Sequence, residues 1–120
     1  MRILIADDEV DFLDIMKESL ERKGHDVDTA QDGAEVLRCL KHHKYDIAFL
    51  DHNMPELTGL EVIKHIKENK IDTITVMITG YPSMKDFFAK TLGADEYLDK
   101  PCELEDIYAI IEKYEKKHDA

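Results

Sequence analysis

The chain predicts a doubly wound α/β fold in which five helices cover both faces of a five-stranded parallel sheet. Two patterns predict it. Strand and helix periodicities alternate along all 120 residues, which is the pattern of a parallel sheet with right-handed crossovers. The strand segments also read as short apolar runs, as strands buried on both faces do. A strand order of 2-1-3-4-5 is a common arrangement for such a sheet. The length favours a single domain, residues 1–120.

Arg2 to Ala6 is the first such run. From Asp11 to Lys23, Phe12, Leu13, Met16 and Leu20 recur at helical spacing, and Gly24 supplies a stop. His25 to Ala30 is a weaker, partly polar strand, followed by a turn at Asp32-Gly33. Val36, Leu37 and Leu40 give the second helix one apolar face. Tyr45 to Leu50 is the third strand, Pro55 and Gly59 break the loop after it, and Leu60, Ile63 and Ile66 mark the third helix. Ile74 to Ile78 is rich in β-branched residues, as strands are. A fourth helix is expected from Ser83, carrying Phe87, Phe88 and Leu92 inward and ending near Gly93. Glu96 to Asp99 is a short polar strand suited to a sheet edge. Leu104, Ile107, Ile110, Ile111 and Tyr114 form the stripe of the last helix.

Lys and Arg number 16 against 27 Asp and Glu, a formal net charge of -11. That balance argues against nucleic acid and against an anionic membrane surface as partners. It favours holding a cation where carboxylates converge. Cys39 and Cys102 match no metal or redox spacing and read as small packing residues. With two cysteines and no secretory leader, a reducing cytoplasm is the expected setting. No apolar run approaches the length of a transmembrane helix.

The unusual polar residues fall at strand ends. Asp7 and Asp8 follow the first strand, Asp51 the third, Thr79 the fourth and Lys100 the fifth. In a parallel sheet these positions share one rim, outside the carboxyl ends, where open α/β sheets bind ligands. Three carboxylates held together disfavour ionisation, and a divalent cation resolves the conflict. Hard oxygen ligands suit Mg2+. With its charge screened, one carboxylate can attack phosphorus and form an acyl phosphate. Lys100 can neutralise the transferred oxygens and Thr79 can hydrogen-bond them. A carboxylate nucleophile needs no general base, so the histidines need no catalytic role.

These residues lie in segments with a family resemblance. Ile5-Ala6-Asp7-Asp8-Glu9, Leu50-Asp51-His52-Asn53-Met54-Pro55 with Gly59, Ile78-Thr79-Gly80 and Tyr97-Leu98-Asp99-Lys100-Pro101 resemble the receiver domains of two-component response regulators. The resemblance spans nearly the whole chain and implies the flavodoxin-like sheet. It implies Asp51 as phosphoacceptor and Mg2+ held by Asp7, Asp8, Asp51 and the Asn53 carbonyl. Thr79 and Lys100 would grip the phosphoryl group, and Tyr97 would report phosphorylation through its rotamer. The Lys100-Pro101 bond would be cis. The implied partners are a histidine kinase or histidine phosphotransfer protein and a downstream effector protein, or an effector domain missing from this chain. Switching would act on the surface of the fourth helix, fifth strand and last helix.

Some positions depart from the family pattern. His52 stands where an aliphatic residue is usual, Thr58 where an acid is frequent, and Cys102 where an aromatic residue often follows Lys-Pro. Tyr81 can shield an acyl phosphate from water. A Mg2+-dependent phosphatase is the chief rival reading, but such enzymes commonly need a second acid at the position of Asn53. An interaction module that takes no phosphate is disfavoured by the intact acids, hydroxyl and lysine. A flavodoxin-like cofactor carrier is disfavoured by an acidic rather than glycine-rich first loop.

Overall fold

The computed structural model describes residues 1–52, 54, 58–80 and 93–119. Among them run β1 (Arg2–Ala6), α1 (Val10–Arg22), β2 (Asp26–Ala30), α2 (Gly33–His42) and β3 (Ile47–Asp51). After these come α3 (Gly59–Glu68), β4 (Ile74–Thr79), β5 (Glu96–Asp99) and α4 (Leu104–Asp119). The strands form one sheet in the order β2-β1-β3-β4-β5, and each neighbouring pair is parallel. This is the expected sheet.

The helix count is corrected. Four helices stand among the described residues, not five. The expected helix between Ser83 and Gly93 falls on residues 81–92, outside the described residues. That expectation rested on Ser83 as a start and on Phe87, Phe88 and Leu92 as the inward face. Each of the four observed helices has an apolar stripe, as Leu13, Met16 and Leu20 of α1 show.

Alternation along the buried strands divides the core in two. Ile3 and Ile5 point to one face, where Leu13, Met16 and Leu20 of α1 meet Ile107, Ile110 and Ile111 of α4. Leu4 and Ala6 point to the other, where Val36 and Leu40 of α2 meet Val62, Ile63 and Ile66 of α3. Full burial of such a side chain is worth about 1.5–3 kcal/mol, so the two faces hold the sheet between helix pairs. Phe12 is only partly buried and Ile15 of the same helix is 59% exposed.

Local signals set the helix ends. Gly24 has φ 92, the left-handed conformation that glycine adopts freely. There its N–H reaches the Glu21 carbonyl and the His25 N–H reaches Leu20, closing α1. At α2, the Asp32 carboxylate accepts the Glu35 N–H at 2.8 Å, and the Glu35 carboxylate accepts the Gln31 N–H at 2.7 Å. The first satisfies an otherwise orphaned donor of the first turn, and the second ties the residue before the cap to that turn. No described helix is long and apolar enough to cross a membrane. Because the strands run parallel, their carboxyl ends gather on one rim.

Candidate functional site

That rim brings Asp7, Asp8 and Asp51 together. Each offers a carboxylate oxygen within 4.8 Å of the others. Asp51 ends β3 and is 1% exposed, and Asp7 follows β1 and is 5% exposed. Asp8 is exposed at the mouth. Asp7 is fixed from both sides. Its N–H donates to the Ala30 carbonyl at 3.0 Å, and its Oδ1 accepts the Glu9 N–H at 2.9 Å.

Lys100 completes the cluster. Its Nζ lies 2.7 Å from Asp51 Oδ1. The Lys100 backbone N–H donates to the Thr79 carbonyl at 2.9 Å, which ties the residue after β5 to the end of β4. The same register sets Thr79 opposite Asp99. Thr79 is fully buried as the last residue of β4. The Lys100-Pro101 peptide is cis, as expected.

The electrostatics follow from crowding. Burial raises the Asp7 carboxyl to about 6; the Glu9 N–H opposes this, Asp51 adds to it, Lys100 opposes it and Asp8 adds to it. Burial alone would lower the Lys100 ammonium. The hydrogen bond and charge of Asp51, with the charges of Asp7 and Asp8, outweigh burial and raise it. One ammonium facing three carboxylates leaves an acidic excess. The donor set is all hard oxygen, half enclosed and charged, which fits a divalent cation.

Two more residues were expected at this site. Asn53 lies outside the described residues. Tyr97 pairs in register with Met77, two positions before Thr79, and its ring packs on the core shared with α2 and α3. Its hydroxyl is buried. Burial raises the phenol, the Ala94 backbone opposes and Asp95 adds. His52 is half-buried; burial lowers its imidazole, with Asp51 raising it and Lys100 lowering it.

Other residues at the site had no role in the sequence reading. Glu9 orients Asp7 through its backbone, an interaction with no side-chain signature. Phe12, Ile78, Pro101 and Cys102 join Asp7 and Lys100 around a cavity of about 420 Å³. The Cys102 thiol is pushed up to about 12 by burial, then by Asp106, Asp7 and Glu103.

Comparison with known proteins places this geometry. The family described as "Response regulator receiver domain" matches residues 3–112. The chain is 35% identical over 111 residues to the alkaline phosphatase synthesis transcriptional regulatory protein PhoP of Bacillus subtilis, covering 92% of this chain and 46% of that protein. It thus spans about half the length of the curated relatives it matches. A CheY-like receiver domain protein of Methanospirillum hungatei JF-1 superposes with TM-score 0.87 and 30% identity over 99% of this chain and 98% of that one. The response regulator TrrA of Thermotoga maritima, in complex with Mg2+-BeF, gives TM-score 0.82 and 33% identity over 93% and 96% of the two chains.

Proposed function

The chain belongs to the response-regulator receiver family of two-component signalling, and on that premise we propose that Asp51 accepts a phosphoryl group from the phosphohistidine of a histidine kinase or histidine phosphotransfer protein. Receivers of this family catalyse only their own phosphorylation and dephosphorylation. The supporting observation is the Lys100–Asp51 contact of 2.7 Å inside the three-acid cluster. It sets a cation against the most buried carboxylate of the rim.

In the transfer, an Asp51 oxygen forms a bond to phosphorus as the bond from phosphorus to the donor imidazole nitrogen breaks. The nitrogen leaves with the bonding pair. Lys100 then passes from the Asp51 oxygen to the new phosphoryl oxygens, and the Thr79 hydroxyl donates to another. We assign Mg2+ to Asp7, Asp8, Asp51 and the Asn53 carbonyl, where it supplies charge neutralisation for the transferring oxygens when bound. A single receiver domain in the cytoplasm, acting on a downstream effector, belongs to the same reading.

Phosphorylation replaces a carboxylate by a group of about -1.5 to -2 charge with several strong acceptors. Thr79 moves toward it, and Tyr97 adjusts behind Thr79. The link from β5 onward is explicit: Glu96 accepts from the Tyr114 hydroxyl at 3.1 Å and from Lys113, both on α4. In this proposal the surface of the helix expected from Ser83, β5 and α4 is biased between two states, and these contacts support its β5–α4 part. Beryllofluoride with Mg2+ tests this by amide chemical shifts. Shifts at Thr79, Tyr97 and Lys100 that continue along α4 are expected. Shifts confined to the neighbours of Asp51 contradict the switch, and none at all contradicts the acceptor role.

A further inference from the structure

Six of the described cations hold a carboxylate within 4.0 Å: Arg2, Lys17, Arg22, Lys64, Lys100 and Lys113. Seven others form no such pair among the described residues and are exposed: Lys23 and Lys116, and then Arg38 and Lys41 of α2, Lys44 just after it, Lys67 of α3 and Lys70 just after it. In a chain with net charge -11, five of those seven cations belong to α2, α3 and the residues just after them. Helices α2 and α3 pack on the same core, so their carboxyl ends are neighbours. This end of the molecule is opposite the rim of Asp51.

A cavity of about 490 Å³ opens between those ends. His43, Lys44 and Lys70 line it, with Leu40, Tyr45 and Ile71 as its apolar wall. Two acids also reach it. Asp46 is committed to the Arg2 backbone N–H at 2.8 Å, and Asp72 is exposed. Lys70 has φ 52, a left-handed conformation that costs a non-glycine residue about 1–2 kcal/mol. Glycine is the usual residue after a helix end, so a strained lysine at the cavity is a second departure from what folding alone favours.

We propose that this cavity docks an acidic segment of a partner protein. One apolar side chain of that segment seats against Leu40, Tyr45 and Ile71, and its flanking carboxylates pair with Lys44 and Lys70. The volume suits a single large side chain with a polar margin. A nucleic acid or an anionic membrane extends beyond the patch. At a Debye length of about 8–10 Å it meets the acidic remainder of the surface, whereas a short segment does not. This site shares no residue with the Asp51 cluster.

The probe is a fluorescein-labelled peptide carrying one Trp flanked on both sides by glutamates, titrated into the whole chain and followed by anisotropy and amide shifts. Binding is expected to shift amides in 40–46 and 70–73. It should weaken about tenfold or more in the Lys44→Glu, Lys70→Glu double variant and fall with added salt. If that variant unfolds, Lys44→Gln with Lys70→Gln is expected to weaken binding several-fold. Phosphoryl uptake at Asp51 stays unchanged throughout, so failure here and failure at Asp51 are separable. Equal binding of a glutamine-flanked peptide, shifts elsewhere, no binding, or tighter binding of duplex DNA or phosphatidylserine vesicles overturns the proposal.

Discussion

Lys100 Nζ holds Asp51 Oδ1 at 2.7 Å while the two side chains differ widely in exposure, 36% against 1%. The lysine therefore works from the solvent side, neutralising a carboxylate that water does not reach. Lys100→Met leaves Asp51 beside Asp7 and Asp8 without that cation. Stability in chelator is expected to fall by about 1–2 kcal/mol, the range of a hydrogen bond to a charged group, discounted for exposure. The loss should shrink when Mg2+ is added. Urea midpoints with and without Mg2+ check both parts.

Metal binding at the acids should appear as a stability gain. At ten times its dissociation constant, a ligand of the folded state adds about 1.4 kcal/mol, on the order of 4–6 °C in Tm for a domain of this size. Asp8→Asn removes the exposed carboxylate of the cluster and should abolish most of that rise. Differential scanning calorimetry across a Mg2+ series reads the difference.

Lys70 carries backbone strain at the end of α3, where its φ is 52. Lys70→Gly relieves it but raises the entropy of the unfolded chain, for an expected net gain of about 0.5–1 kcal/mol. The same variant should weaken the glutamate-flanked peptide. Higher stability with weaker docking is the paired result; lower stability contradicts the assignment of strain.

His25 makes stability depend on pH. Its side chain is 8% exposed, with Nδ1 3.1 Å from the Met1 ammonium and Nε2 3.4 Å from a Glu115 oxygen. Burial lowers its pKa, as do the Met1 ammonium and Lys23, against Glu115. A lowered histidine contributes stability that is full above its unfolded value near 6.5 and is lost as pH falls through the lower folded value. Asp7, raised to about 6, works in the opposite sense: its contribution is present at low pH and lost as pH rises through that value. The difference between wild type and His25→Gln therefore isolates the histidine. It is expected to narrow as pH falls below 6.5, and a difference constant from pH 7.5 to 5 contradicts the account.

Much of the sheet and rim was legible in the sequence because both rest on strand patterns. Ile3, Leu4 and Ile5 are apolar without alternation, so β1 had to be buried on both faces. Asp7, Asp51, Thr79 and Lys100 close four such runs and share the rim whatever the loops do. Pairing was harder to read. The Lys100–Asp51 contact depends on the register of Thr79 with Asp99, and the Glu9 N–H on Asp7 is a backbone interaction that any residue can make. Phe12 read as a core residue by spacing, yet it lies over the cavity beside Asp7. The helix expected from Ser83, with Phe87, Phe88 and Leu92 inward, falls on residues outside those described and is not among the four helices observed. The cationic end was invisible for another reason. Lys44 and Lys70 are far apart in sequence and meet only where the fold brings them to one cavity.

The most direct test is intact mass after incubation with a small acyl-phosphate donor, with and without Mg2+, on the wild type and on Asp51→Asn. The account predicts one hydroxylamine-labile phosphoryl adduct that needs Mg2+ and is absent from Asp51→Asn. An adduct retained in Asp51→Asn, or none on a chain shown to bind Mg2+ and to trap no short-lived phosphoryl group, would contradict it.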